Sequence, residues 1–279
     1  MHDTACTPTP LLDIEIRLFL EGVFQQYHYD FRQYSMASLR RRMTLAMERH
    51  GCETLSVLQS RVLREPALFA QMLQYFTVQV SDMFRDPGYF RALRDAVVPM
   101  LQTYPSIKVW VAGCSTGEEV WSLAILLHEA GLLDRSLVYA TDINAQSLKA
   151  AEAGIYPIER AARFSRNYLQ AGGTASLSDY YTAGYEAIVF DRALKQHIVF
   201  ADHSLATDHV FSEMHLVSCR NVLIYFDRGL QDRAVGLFRD ALVPRGFLGL
   251  GSKETLRFGA HEHAFEPWRA DERIYRRRA

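Results

Sequence analysis

One stretch constrains this chain more than any other: Val109-Trp-Val-Ala-Gly113-Cys-Ser-Thr-Gly117-Glu118-Glu119. An apolar run rich in β-formers that stops at glycines before a helical stretch predicts a strand, a tight loop and a helix. Glycines there let a ligand approach the backbone closely. The spacing excludes two common occupants. The dinucleotide pattern Gly-x-Gly-x-x-Gly is absent because the glycines stand four apart, and no Lys-Ser/Thr ending supports a nucleoside triphosphate. Carboxylates at the helix start, Glu118 and Glu119, oppose a pyrophosphate, which needs the positive helix end free of negative charge. They suit a ligand that is cationic or rich in hydroxyls.

The second apolar run, Leu137 to Thr141, ends at Asp142, where an acid can accept both hydroxyls of a ribose. A ribose-binding acid beside a loop with no phosphate cradle fits a nucleoside that carries a sulfonium and an amino acid, S-adenosyl-L-methionine. A tight turn with no ligand is the plainer alternative. Around these runs the chain alternates strand and helix: helices at Glu118–Ala130, Ala145–Ala153 and about Leu230–Leu242, strands at Ile107–Ala112, Leu216–Ser218 and Phe247–Leu250. Such alternation predicts an α/β fold with a mostly parallel sheet. Tyr180–Val199 reads instead as one or two hairpins.

The first seventy-five residues are different. Leu11, Ile14, Leu18 and Val23 are spaced as one apolar helix face. A second helix, capped by Ser35 or Ser38, carries Leu39, Met43, Ala46 and Met47 and stops at Gly51. A third runs through Leu55, Leu58 and Val62, and after Pro66 a fourth covers Leu68–Tyr75. With 279 residues and about 100–200 per domain, two domains are expected, one helical and one α/β. Residues 1–9 read as a disordered end.

Composition narrows the class of partner. Thirty-one Lys and Arg against 32 Asp and Glu leave a net charge of −1, against the positive surplus a nucleic-acid binder needs. No apolar run reaches the roughly 20 residues that span a bilayer, and no secretory signal precedes Pro10, so a cytoplasmic protein is expected. Cys6, Cys52, Cys114 and Cys219 lack metal-site spacing and read as free thiols; the histidines show no ligand pattern, so no metal is expected. The neutrality is uneven. Residues 32–64 hold seven arginines against two glutamates, a net of +5. Arg40, Arg41, Arg42 and Arg49 are concentrated there, with Arg42 and Arg49 seven apart and so on one helix face. A solvated face and a dock for an acidic helix are both open readings.

Several further motifs stand in order along the chain: Tyr29-Asp-Phe-Arg-Gln-Tyr34, Leu39-Arg-Arg-Arg42, Met83-Phe-Arg-Asp86, Ala140-Thr-Asp-Ile143, Ser218-Cys-Arg-Asn-Val-Leu-Ile-Tyr-Phe-Asp227 and Gly249-Leu-Gly-Ser-Lys-Glu254. With the Gly113 loop they resemble the CheR family of chemoreceptor glutamate O-methyltransferases over nearly the whole length. The resemblance implies an all-α domain over 10–76 that docks the receptor and a linker helix over 77–100. A Rossmann-like S-adenosylmethionine-dependent methyltransferase domain would follow over 101–279, with a small antiparallel β-subdomain inserted at about 165–200. It implies cofactor contacts at Gln79, Ser81, Arg85, Gly113, Glu118, Asp142, Ser204, Leu205, Arg220 and Asn221, and Tyr225 beside the transferring methyl group. Arg85 would help place the substrate carboxylate, unless it pairs with Asp82 or Asp86; Tyr225 would otherwise be a packed aromatic. Arg40, Arg41, Arg42 and Arg49 would meet the glutamate-rich methylation helices of a chemoreceptor. Many relatives have Asn where this chain has Gln79 and Ser204. The Tyr180–Ile188 stretch looks short where some relatives extend a hairpin to bind a receptor's C-terminal peptide, which implies a peptide-independent enzyme. A monomer is expected. A cofactor-sensing adaptor without catalysis, and a methyltransferase acting on RNA or a small molecule, are the other classes to weigh.

Overall fold

The computed structural model describes residues 9–77 and 80–279; the first eight residues, with Cys6, and Gln79 lie outside them. The chain divides into two compact units, Met1–Val78 with Tyr225–Leu230, and Gln79–Ile224 with Gln231–Ala279.

The first unit is built from α1 (Leu11–Tyr27), α2 (Met36–His50), α3 (Leu55–Val62) and α4 (Pro66–Phe76). Local signals set their ends. His28 and Gly51 adopt left-handed backbone after α1 and α2, Thr54 Oγ1 accepts the Val57 N–H to cap α3, and Pro66 starts α4 where no N–H is needed. The apolar face of α1 differs from the sequence reading. Ile16, Phe19, Leu20 and Val23 are buried, whereas Leu11, Ile14 and Leu18 are 73%, 44% and 58% exposed. The helix carries two stripes at helical spacing, and burial goes to the one bearing the aromatic ring, which removes more apolar area from water. Phe19 meets Phe76, and Phe31 stacks on Phe76 with centroids 4.4 Å apart.

The second unit contains α5 (Pro87–Ala92), α6 (Val98–Leu101), β1 (Ile107–Ala112), α7 (Glu118–Glu129), β2 (Ser136–Asp142), α8 (Ala145–Ala153), β3 (Ile155–Pro157), α9 (Ala161–Gln170), β4 (Tyr181–Ala183), β5 (Ala187–Phe190), α10 (Arg192–Lys195), β6 (Ile198–Asp202), β7 (Met214–Cys219), β8 (Leu242–Leu250), β9 (Phe265–Arg269) and β10 (Ile274–Arg277). Most of α11 (Arg228–Ala241) belongs to it as well. Between α5 and α6 the helix widens into a π turn over Leu93–Val97, where Val98 N–H reaches the Leu93 carbonyl; Pro99 follows and has no N–H to keep the tighter register.

Seven strands form one sheet in the order β6-β2-β1-β7-β8-β10-β9. β6, β2, β1, β7 and β8 are parallel, while β10 runs antiparallel to both β8 and β9. This is an α/β unit with a mostly parallel sheet, preceded by an all-α unit, as expected. The order reverses between β1 and β7, and ligands in open α/β sheets bind beyond the strand ends at such a point. A second sheet, β3-β5-β4, is small and antiparallel. Its limits correct the 165–200 expectation. β3 lies upstream at Ile155, and Ile198–Asp202 pairs with β2 in the large sheet. A three-residue strand is too short to show a period, and β6 has two exposed and two half-buried residues that blur its apolar pattern.

Candidate active site

The loop after β1 turns on Gly113 and Gly117, with φ of 74° and 90°. A side chain at Gly113 would come within 2.6 Å of Val222, and one at Gly117 within 2.7 Å of Ala151. These glycines therefore admit close protein neighbours at the loop. The loop's N–H groups are turned to use: Gly113 and Cys114 both donate to the Thr141 carbonyl at 2.8 Å, and Ser115, at φ 51°, donates to Asp142 Oδ2 at 2.8 Å.

Asp142 is 8% exposed, and its other oxygen accepts the Asn144 N–H at 2.9 Å. Burial pushes its carboxyl pKa up, opposed by these backbone donors. With these backbone donors and the Ile143 N–H, the carboxylate still keeps acceptor capacity for ribose hydroxyls. Asp202 is its register partner across β2 and β6, which brings the following loop alongside: His203 N–H reaches the Asp142 carbonyl at 3.4 Å. In that loop Ser204 N–H donates to Asp208 Oδ2 at 2.9 Å, and Ser204 Oγ accepts from Ala206 N–H at 3.3 Å. Leu205 is buried.

Glu118 begins α7 wholly buried. Its Oε1 is 2.7 Å from Arg160 Nη1, and its Oε2 accepts Thr116 Oγ1 at 2.7 Å. Arg160 Nη2 also donates to the Ser81 carbonyl at 2.7 Å, so Ser81 and Glu118 are brought together through a residue the sequence reading passed over. Arg85 donates to the Val80 carbonyl at 2.8 Å. It pairs with neither acid weighed above: Asp82 lies 3.0 Å from Arg163, and Asp86 2.7 Å from Arg220.

The Arg220 side chain faces inward. Its guanidinium meets Glu119 at 3.0 Å and Asp86 at 2.7 Å and lies 4.1 Å from the Tyr89 ring centre. Burial opposes the charge, but Glu119, Tyr89 and Asp86 more than offset it and hold the pKa up. Ser218 completes the group, donating to Glu119 at 2.7 Å and bonded to Tyr89 at 2.8 Å. Any cofactor contact from Arg220 would thus fall to its backbone. Asn221, with φ 62°, gives its N–H to Glu254 Oε2 at 3.0 Å; the same carboxylate accepts Gly251 N–H at 2.6 Å and Ile224 N–H at 3.3 Å. Glu254 was visible only as the last residue of a motif with no chemistry attached.

Within the helical unit, the four arginines do not share one environment. Arg40 is tied to Asp13 at 2.5 Å. Arg42 is 6% exposed, donates to the Phe76 carbonyl at 2.6 Å, and places its guanidinium 4.4 Å from the Tyr225 ring centre. Arg41 and Arg49 are exposed. The face shared by Arg42 and Arg49 in projection is therefore split by burial: Arg42 is held against Phe76 and Tyr225, while Arg49 stays in solvent.

Comparison with known proteins decides the family. The profile described as "CheR methyltransferase, SAM binding domain" matches residues 79–274, and "CheR methyltransferase, all-alpha domain" matches residues 14–77. The chain belongs to the CheR methyltransferase family. A Pseudomonas putida protein named "Putative methyltransferase Cher3" is 56% identical over 95% of this chain and 97% of its own length. A Listeria monocytogenes "Chemotaxis protein methyltransferase" is 26% identical over 88% and 92%. Among solved structures, the glycopeptide N-methyltransferase MtfA complexed with S-adenosyl-L-methionine gives a TM-score of 0.36 at 13% identity, covering 61% of this chain and 54% of that one; a likeness so slight carries no argument.

S-adenosyl-L-methionine is the cofactor of this CheR domain, and the residues fit it. Ser115 Oγ is buried beside Asp142 with no partner among the described residues, and Asp142 keeps acceptors for a ribose. Among the described residues, no group of three or more His, Cys, Asp or Glu could hold a metal ion, and no helix is long and apolar enough to cross a membrane.

Proposed function

We propose that this protein is a protein-glutamate O-methyltransferase acting in the cytoplasm on the methylation helices of a chemoreceptor or related signalling protein. One observation carries the reading: among the described residues, the histidine after β6 and the thiols after β1 and at the end of β7 are packed or buried rather than poised to take a proton. The His203 ring packs against Trp110 and Phe211 and bonds the His209 carbonyl. Burial pushes the Cys114 and Cys219 thiols well up. The acceptor must therefore arrive ready to react, and a glutamate, with an ordinary pKa of about 4.3, is ionised at neutral pH. When bound, the cofactor supplies a methyl group on a sulfonium. The chain's own part is to bind and to aim, since alignment is what an in-line displacement needs most.

In this reading Asp142 holds the ribose, Gly113, Ser81, Glu118 and the Ser204–Leu205 and Arg220–Asn221 backbones hold the rest of the cofactor, Arg85 helps place the substrate carboxylate, and Tyr225 shapes the methyl-transfer pocket. Gln79, with its longer amide arm, belongs to the same set. Exposed Arg41 and Arg49 attract the acidic helix, with Arg40 partly neutralised by Asp13 and Arg42 placed against Tyr225 rather than in solvent. The hairpin β4–β5 turns in three residues, Gly184–Glu186, which supports methylation without a receptor C-terminal peptide.

Methyl labelling with candidate receptors tests this. Base-labile label released as methanol is expected from a carboxyl methyl ester; base-stable label would refute it. Receptor binding should weaken with salt, and that dependence should shrink in Arg41→Ala with Arg49→Ala; a salt-independent affinity would remove the arginines from docking.

A further inference from the structure

The small antiparallel sheet is inserted in the methyltransferase unit, yet its first strand reaches back to the loop after β1. Tyr156, in β3 and 3% exposed, donates its hydroxyl to the Thr116 carbonyl at 2.7 Å. Four residues on, Arg160 spans two segments. One amino group meets Glu118 at 2.7 Å and the other the Ser81 carbonyl at 2.7 Å, with Asp82 Oδ1 at 3.7 Å. Its guanidinium lies 4.7 Å from the Phe164 ring centre, which fixes its plane. The Glu118 side chain is 1% exposed and that of Arg160 24%. A carboxylate so covered is strongly unfavourable without a paired cation, and a planar guanidinium fixes its direction as an ammonium would not.

We infer that Arg160 is a positioning residue of the cofactor site. It keeps Glu118 an oriented anion and ties it to the Ser81 segment, so that the ammonium-bearing amino-acid end of S-adenosylmethionine is received there while Asp142 serves the nucleoside end. Glu118 has one partner on each oxygen and retains acceptor capacity for a further donor. This rests on the reading of Ser81 and Glu118 as cofactor contacts. It gives the inserted sheet a role in binding the methyl donor.

Calorimetric titration with two ligands tests it: S-adenosylhomocysteine, and 5′-methylthioadenosine, which keeps the nucleoside and lacks the amino-acid end. For Arg160→Met the expected result is about a tenfold or greater loss of S-adenosylhomocysteine affinity, as for a lost charge-assisted contact, with methylthioadenosine within about twofold of wild type. Arg160→Lys should show the same selective loss in smaller measure, and it decides the matter if Arg160→Met does not fold. Equal loss for both ligands, no loss, or tighter binding of S-adenosylhomocysteine overturns the proposal. Glu118→Gln separates the two layers. A selective loss in Glu118→Gln but not in the Arg160 variants defeats Arg160 alone, whereas no change in Glu118→Gln defeats the reading of Glu118 beneath it.

Discussion

Acidic side chains are used in opposite ways in the two units. In the helical unit, Asp13 is held below its ordinary pKa by Arg40, Glu21 by Gln25 and Arg32, and Asp30 by Arg32. These carboxylates sit against arginines that remain partly in solvent. In the methyltransferase unit, Asp142, Asp202 and Glu254 are pushed above theirs by burial, and at Asp142 and Glu254 the opposing help comes mainly from backbone N–H groups. A carboxylate paired with a partly exposed arginine contributes a little stability and a local charge pattern. One enclosed by N–H donors is a fixed acceptor, held ready for a ligand or for a turn of chain.

The comparison is most open to challenge at Arg220, the enclosed cation of the methyltransferase unit. Arg220→Met leaves Glu119 and Asp86 without their partner and should destabilise by about 3–5 kcal/mol. Arg32→Met, at a surface pair, should stay within about 1 kcal/mol. Urea denaturation of both variants measures the gap, and similar losses would erase the distinction between the units. Next in size is Glu254→Gln, which replaces one acceptor oxygen with an N–H₂ facing backbone donors and should lower stability by about 1–3 kcal/mol. Asp142→Asn should reduce S-adenosylhomocysteine affinity about tenfold through one weakened hydroxyl contact to a charged acceptor, and because its N–H₂ would face the Ser115 or Asn144 N–H it should also lower stability by about 1 kcal/mol.

The smallest effect is in pH. Asp142 has a raised folded pKa, so on acidification it takes up its proton above the ordinary 3.8; protonation there favours the folded state relative to the unfolded one while removing a ribose acceptor. Asp13, Glu21 and Asp30 have lowered folded pKa values, so their stabilisation is complete above the ordinary values of 3.8–4.5 and is lost as pH falls through the lowered ones. Cofactor affinity should therefore decline at a higher pH than the helical signal does. Calorimetry and circular dichroism over one pH series check the order, and simultaneous loss would break it.

Much of the methyltransferase unit was legible because its signals are local. The Ile107–Ala112 strand and the Ala145–Ala153 helix were read at their observed bounds, since Asn144 caps α8 and Gly154 ends it with positive φ. Asp142 was legible because a strand end fixes where its side chain lies. What escaped depends on distance in sequence. Arg160 is a lone arginine until folding sets it against Glu118, 42 residues away. Glu254 means nothing until the turn at Asn221 comes within its reach. The apolar stripe of α1 was misread because spacing allowed two faces, and only packing on Phe76 chooses between them.

The helical unit is not one continuous stretch of chain. It closes with Tyr225–Leu230, where Phe226 and Leu230 are buried, Tyr34 bridges to Phe226, and Ser35 N–H reaches the Tyr225 carbonyl at 2.8 Å. The polypeptide consequently crosses between units three times. A gene cut at residue 78 would produce a helical fragment missing its last strip of core, and a remainder carrying two apolar side chains with nothing to cover them. Exchange of the helical unit between relatives by simple recombination at that boundary is thereby penalised, and the six residues must travel with it.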